Sequence, residues 1–225
     1  MTSRNNQLWL QSWRDKQTDF HQKAANQLLV KFWPRLNLLP GSRIFVPLCG
    51  KSLDMIWLAK QGHEVVGIEL SPVAVRSFFK ENRLKPVKRR MGKLTLWRHG
   101  KISIFCGDYF SLKKADLGII DTIYDRAALT ALPETIRQLY VDHLAIIVQD
   151  DTKVFLLTTE DAEEGESLDH ALGISDEIKL LYAKVFNINL AHVESVVEIN
   201  PQSSDNLPIR VEYKVYQLTN KLNIN

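Results

Sequence analysis

The run from Arg43 to Leu70, R-I-F-V-P-L-C-G-K-S-L-D-M-I-W-L-A-K-Q-G-H-E-V-V-G-I-E-L, constrains the fold more than any other stretch. Ile44, Phe45, Val46 and Leu48 form a short apolar run, as a strand buried on both faces requires. Gly50 suits a tight turn after it, Ser52 serves as an N-cap, and Leu53, Ile56, Trp57 and Leu58 recur at helical spacing. Gly62 fits the left-handed stop of that helix. Val65, Val66, Ile68 and Leu70 make a second buried strand that ends on Glu69. Strand, turn, helix, strand is the unit of an open parallel sheet. Such sheets bind ligands at the carboxyl ends of their strands, where an acid can grip ribose hydroxyls. The turn is not a dinucleotide fingerprint, because Leu48, Cys49 and Gly50 stand where three glycines are needed. Nor is it a P-loop: Gly50-Lys51-Ser52 imitates the end of that motif, but Phe45 occupies the place of its first glycine. The residues alone leave open both a generic βαβ unit with a chance acid and a nucleoside site.

With 225 residues the chain can bury a full core, and one domain over residues 1–225 is expected. A formal net charge of +3 does not by itself imply nucleic acid. Cys49 and Cys106 are the only cysteines, too few for a disulfide framework, so a reducing cytoplasm is expected. Residues 1–25 carry scattered charges and no apolar h-region, so no signal peptide is expected, and no apolar run approaches membrane-spanning length.

Residues 5–36 read as helical, closed by Pro34. Ser71-Pro72 opens a helix to about Asn82. Lys85 to Lys93 is the strongest basic cluster and reads as a solvated loop. An RNA-binding patch is the functional alternative, unsupported by interleaved aromatics. Leu94–Arg98 and Lys101–Cys106 alternate around His99-Gly100 as a hairpin whose second arm delivers Gly107-Asp108-Tyr109. Ile119–Tyr124 is a core strand ending at Asp125-Arg126. A helix follows from Pro133 to about Val148, then a strand over Lys153–Thr159. Glu160 to His170 reads as a loop dense in acids, and Ser175 caps a helix to Phe186. Val193–Ile199 and Arg210–Leu218 close the chain as two strands.

Phe45 to Leu70, Ile104 to Phe110 (I-F-C-G-D-Y-F) and Tyr124 to Leu132 (Y-D-R-A-A-L-T-A-L) resemble the cofactor segments of the thiopurine S-methyltransferase family, bacterial branch. Trp13 followed by Phe20-His21 is similar to that family's N-terminal segment. The matches stand in family order and cover most of the chain to about Val148. The resemblance implies an α/β fold with a seven-stranded, mostly parallel, doubly wound sheet. This is the Rossmann-like methyltransferase fold, with residues 1–36 as a helical cover. It implies S-adenosyl-L-methionine as cofactor and methyl transfer to the sulfur of a small aromatic or heterocyclic thiol such as a thiopurine, or to selenium or tellurium species. Trp13, Leu48, Glu69, Asp108, Tyr109 and Arg126 match family positions at the cofactor, and Gly50 beside them lets the backbone approach closely. Glu69 would accept hydrogen bonds from both ribose hydroxyls and Asp108 from the adenine amino group. Tyr109 would cover the base or sit in the core. Trp13 reads as a core residue by itself and lies at the methionine end by resemblance.

Asp125 and Arg126 are the candidate catalytic residues. Amino-methylating enzymes of nucleic acids carry [DN]-P-P-[YF] at this strand end, whereas Tyr124-Asp125-Arg126-Ala127 lacks the prolines. A guanidinium is always charged and only donates, which suits an acceptor that reacts as a thiolate. A buried Asp125–Arg126 structural pair is the alternative. His21 matches the family's Phe-His pair, and no spacing of His, Cys and carboxylates suggests a metal. After the fifth core strand the family's Gly-Pro-Pro-Phe-like substrate lip is replaced by Thr159 to Asp169, rich in glutamate. Gln202 stands about where a second substrate arginine is expected. That departure admits a second reading, a cofactor-binding protein of this fold with weak or no transferase activity. The basic cluster admits a third, an RNA methyltransferase. The expected partners are a small thiol or chalcogen substrate and neither nucleic acid nor membrane, with the chain a monomer.

Overall fold

The computed structural model describes residues 3–18, 21–161, 174–199 and 208–221. The chain divides into two compact units, Met1–Tyr124 with Asp142–Gln149, and Asp125–Val141 with Asp150–Asn225.

In the first unit, β1 (Arg43–Val46) lies between β2 (Glu64–Glu69) and β6 (Thr122–Arg126), parallel to both. The far side of β2 carries β5 (Ile102–Cys106), also parallel. Two antiparallel strands follow, β4 (Leu94–His99) and then β3 (Val87–Met91), so the order is β3-β4-β5-β2-β1-β6. β1 and β2 are buried almost throughout, as their unbroken apolar runs require. Between them α3 (Asp54–Lys60) buries Met55 and Leu58. It starts later than the Ser52 cap implies. Leu53 is its N-cap residue, and the Ser52 hydroxyl accepts from the Asp54 N–H at 3.2 Å. Helix α4 (Pro72–Glu81) begins where the Ser-Pro pair predicts, with the Ser71 hydroxyl accepting from the Ala74 N–H. It buries Ala74, Val75, Phe78 and Phe79, and Phe79 stacks on Trp97 of β4.

Two features of this unit differ from expectation. The residues read as helical over 5–36, in two apolar stretches with Pro34 ending the second, form α1 (Ser3–Arg14), α2 (Gln27–Phe32) and a 3-10 turn over Trp33–Leu36 that carries the chain past Pro34. Asn26 restarts the helix by accepting from the N–H groups of Leu28 and Leu29. The basic cluster is solvent-exposed as expected but is a strand, β3. With the hairpin arm β4, which the alternation predicts, it brings the strands among the described residues to nine where the resemblance implies a seven-stranded sheet.

In the second unit β9 (Pro208–Asn220) pairs antiparallel with β7 (Lys153–Asp161) and with β8 (Phe186–Ile199). The register of β8 shifts between Leu190 and His192, a bulge in an otherwise long pair. Helix α7 (Ile174–Tyr182) buries Ile178, Leu181 and Tyr182. A short helix, α5 (Lys114–Leu117), precedes β6. Helix α6 (Glu134–Ile147) follows it, and the division between the units falls within α6, after Val141.

Candidate functional site

The turn after β1 is built around two left-handed residues. Leu48 has φ 45° and Gly50 has φ 53°, and a leucine held there marks a backbone fixed by its surroundings. The Cys49 N–H donates to the Ile68 carbonyl at 2.9 Å, tying the turn to the end of β2. The last residue of β2 is Glu69, only 6% exposed. One carboxylate oxygen accepts from the Gly50 N–H at 2.9 Å and the other from the Ser71 N–H at 2.6 Å. The acid is therefore clamped between the turn and the head of α4, and a carboxylate, with about four acceptor sites, keeps capacity beyond its backbone donors. Two acceptors joined by one carbon match a vicinal diol. Burial pushes this carboxyl up to about 7, against the opposing pull of the backbone donors from Ser71, Gly50 and Leu70.

Trp13, on α1, is buried with its ring over the same turn, so that a Cβ placed on Gly50 would lie 3.1 Å from the ring. Glycine at this point keeps the backbone and an indole together. Cys49 is buried beneath the turn, and burial, then the Glu69 charge, raises its thiol well above the ordinary range. Cys106 lies across from Glu69 in the β2–β5 register and is raised to about 11 by the same two causes. At both cysteines burial works against the thiolate, the form in which a cysteine is a nucleophile.

Gly107, after β5, donates to the Glu69 carbonyl at 2.9 Å and brings Asp108 beside the same strand end. Asp108 is half-buried and caps a 3-10 turn over Tyr109–Ser111 by accepting from the Phe110 N–H at 3.2 Å. The Tyr109 ring is buried against Phe110 and His143. His143 of α6, which the sequence reading passed over, lies with Nε2 3.2 Å from the Tyr109 carbonyl. No local motif announces it, because the contact joins residues far apart in the chain. Asp54 was also missed. It is buried and accepts from the Asn26 N–H at 2.8 Å and the Tyr124 hydroxyl at 2.9 Å, fixing the start of α2 to the sheet. His21 is half-buried, and its neighbour Phe20 lies outside the described residues.

Asp125 and Arg126 belong to the second unit. Asp125 is fully buried, accepting from the Tyr140 hydroxyl at 2.6 Å and the Ala128 N–H at 3.0 Å. Burial pushes its carboxyl up to about 6, with those donors pulling down. Its visible work is to hold the turn that Arg126, half-buried, opens. Glu160 was expected in a loop. It lies instead in β7, 9% exposed, and pairs at 2.8 Å with Lys214 of β9. Ser175, expected as a helix cap, lies inside α7 and turns its hydroxyl to Glu160 at 2.9 Å. Asp161 ends β7, while Glu163, Glu164, Glu166 and Gln202 lie outside the described residues.

A buried carboxylate with spare acceptor capacity, beside a glycine that a side chain would block, fits the ribose of S-adenosylmethionine. The profile of the thiopurine S-methyltransferase family matches residues 4–221. The chain is 59% identical over 221 residues to the thiopurine S-methyltransferase of Stutzerimonas stutzeri, covering 98% of this chain and 93% of that one. It is 40% identical over 213 residues to the thiopurine S-methyltransferase of Nitrosospira multiformis, covering 94% and 96%. Among solved structures it is similar to a SAM-dependent methyltransferase from Anabaena variabilis, with a TM-score of 0.64 at 13% identity over 96% of this chain and 95% of that one. It is also similar to the N-methyltransferase NodS from Bradyrhizobium japonicum in complex with S-adenosyl-L-homocysteine, with a TM-score of 0.60 at 14% identity over 94% and 98%. The expected Rossmann-like α/β fold is thus the one these methyltransferases share, and the chain belongs to the thiopurine S-methyltransferase family, enzymes that use S-adenosylmethionine as methyl donor.

Proposed function

We propose that this enzyme methylates the sulfur of a small aromatic or heterocyclic thiol, with thiopurines as the type substrate, and that selenium and tellurium species are further acceptors. The observation that carries this reading is the 59% identity, over nearly the whole chain, to a protein named thiopurine S-methyltransferase. In this reading Glu69 holds the ribose hydroxyls, Asp108 accepts from the adenine amino group, and Tyr109 supports that turn from the core. Leu48 and Gly50 present backbone to the cofactor, and Trp13 covers its methionine end. Bound S-adenosylmethionine supplies a methyl group already activated by its sulfonium charge. The protein then contributes alignment and exclusion of water rather than a strong base. Arg126 favours the thiolate form of the acceptor and shields its charge until the methyl transfers, when both products are neutral at sulfur. Asp125 keeps Arg126 in place through its turn. No helix among the described residues is long and apolar enough to cross a membrane, and we read the enzyme as a cytoplasmic monomer that works without nucleic acid.

A turnover assay with labelled S-adenosylmethionine against heterocyclic thiols, aliphatic thiols, selenite and tellurite tests the proposal. Ionised heterocyclic thiols are expected to turn over fastest and to lose rate in Arg126→Lys. Cofactor binding without methylation of any thiol or chalcogen would leave a binding protein rather than an S-methyltransferase.

A further inference from the structure

Helix α6 turns two side chains back over the segment that Arg126 opens. Arg137 Nε donates to the Leu132 carbonyl at 2.9 Å, and one of its terminal nitrogens reaches the Thr130 carbonyl at 3.5 Å. Its other terminal nitrogen pairs with Glu177 of α7. One helical turn on, the Tyr140 hydroxyl holds Asp125, and Asp125 holds the Ala128 N–H. Residues three apart share a helix face, so one face of α6 grips both ends of the turn. Inside it Ala127 has φ 58° and the Ala131 N–H donates to the Ala127 carbonyl at 2.9 Å. An alanine in that region is uncommon and persists only where the surroundings fix it. The Arg137 and Glu177 side chains are 12% and 14% exposed, so water screens their attraction little.

We propose that Arg137, held by Glu177, is a positioning residue that sets Arg126 for the acceptor by fixing the carbonyls of Thr130 and Leu132. The proposal rests on the reading of Arg126 given above. A planar fork with five donors can serve two carbonyls and a carboxylate together, whereas a lysine at the same place offers one point of attachment. Arg137→Lys therefore keeps a cation near Glu177 and gives up the grip on the turn. If the pair merely staples α6 to α7, that substitution lowers stability and leaves the chemistry of the folded enzyme alone.

A double-mutant cycle on the full chain, read as kcat/KM with an ionised thiol and with melting temperature alongside, tests the proposal. Arg137→Lys is expected to lower kcat/KM roughly tenfold, the scale on which small misplacements of aligned groups act. In the Arg126→Lys background the same change is expected to cost less than about twofold, because Arg126 is no longer there to be positioned. Equal losses in both backgrounds overturn the proposal, as does a lower melting temperature with undiminished kcat/KM. Should Arg137→Lys not fold, Glu177→Gln replaces it in the cycle, with the same coupling expected. Wild-type kcat/KM in Arg126→Lys alone would instead overturn the reading of Arg126, and the positioning role would fall with it.

Discussion

Glu69 has left water almost entirely, and that loss of hydration lifts its carboxyl from 4.5 to about 7. Between those values the folded chain holds a proton that the unfolded chain has released. This group therefore makes stability fall as pH rises through that window and level off above it. Binding has the opposite sense. A carboxylate offers both oxygens to a diol, whereas a carboxyl offers one hydrogen the wrong way, so cofactor affinity is expected to rise with pH up to about 7 and then flatten. Titration calorimetry with S-adenosylhomocysteine checks this against Glu69→Gln, expected to bind weakly and without pH dependence. Losing charge-assisted hydrogen bonds worth roughly 1.5–3 kcal/mol costs about ten- to a hundredfold in affinity. A wild-type affinity that is flat from about pH 6 to 8 would separate Glu69 from the binding step. This part of the candidate site was legible because strand, turn and acid are consecutive: Leu48, Gly50 and Glu69 all come from one βαβ unit. The contacts that brace it were not. His143 to Tyr109 and Asp54 to Tyr124 join residues 34 and 70 positions apart, and nothing local encodes such pairs.

At the scale of elements, β3 shows why an edge strand escapes a reading by pattern. Period-two alternation exists only where one face is buried. Val87 to Arg90 is exposed on both faces, so its composition reads as a loop. Strands β1 and β2 and helix α4 were legible because burial imposes apolar runs or helical spacing on them. Ser175 misled for a related reason: its hydroxyl serves the buried Glu160–Lys214 pair instead of a helix end. The cations of β3 have work of their own. An unpaired strand edge is a template for association, and charge is a common guard against it. Lys88 also lies over the Trp97 ring at 3.7 Å, holding the strand to β4. Replacing Arg89 and Arg90 with Thr, a good strand former, is expected to leave kcat/KM unchanged and to make the protein self-associate as concentration rises. Sedimentation velocity reads the outcome directly. A variant that stays monodisperse at every concentration would leave the basic strand without this role.

For the whole molecule, the division into two units cuts across continuous elements: one boundary falls inside β6, after Tyr124, and another inside α6, after Val141. Helix hydrogen bonds run from each N–H to the carbonyl four residues back, so several bonds straddle Val141. Cutting the 14 residues of α6 there would leave two pieces shorter than an isolated helix needs to persist, about 12–15 residues. Neither unit can therefore melt alone without fraying an element of the other, and we expect the chain to unfold as one domain. Gly67 supplies a test that involves no ligand. It lies in β2 in the first unit, where a Cβ would meet the Cys49 sulfur at 2.7 Å. Gly67→Ala is expected to cost about 1–3 kcal/mol, as overpacking of a filled core does. If unfolding is global, native-state hydrogen exchange of the slowest amides accelerates by one common factor in both units, in β1 and equally in β9 around Val215. Acceleration confined to the first unit, with β9 exchanging as before, would mean two domains that unfold independently.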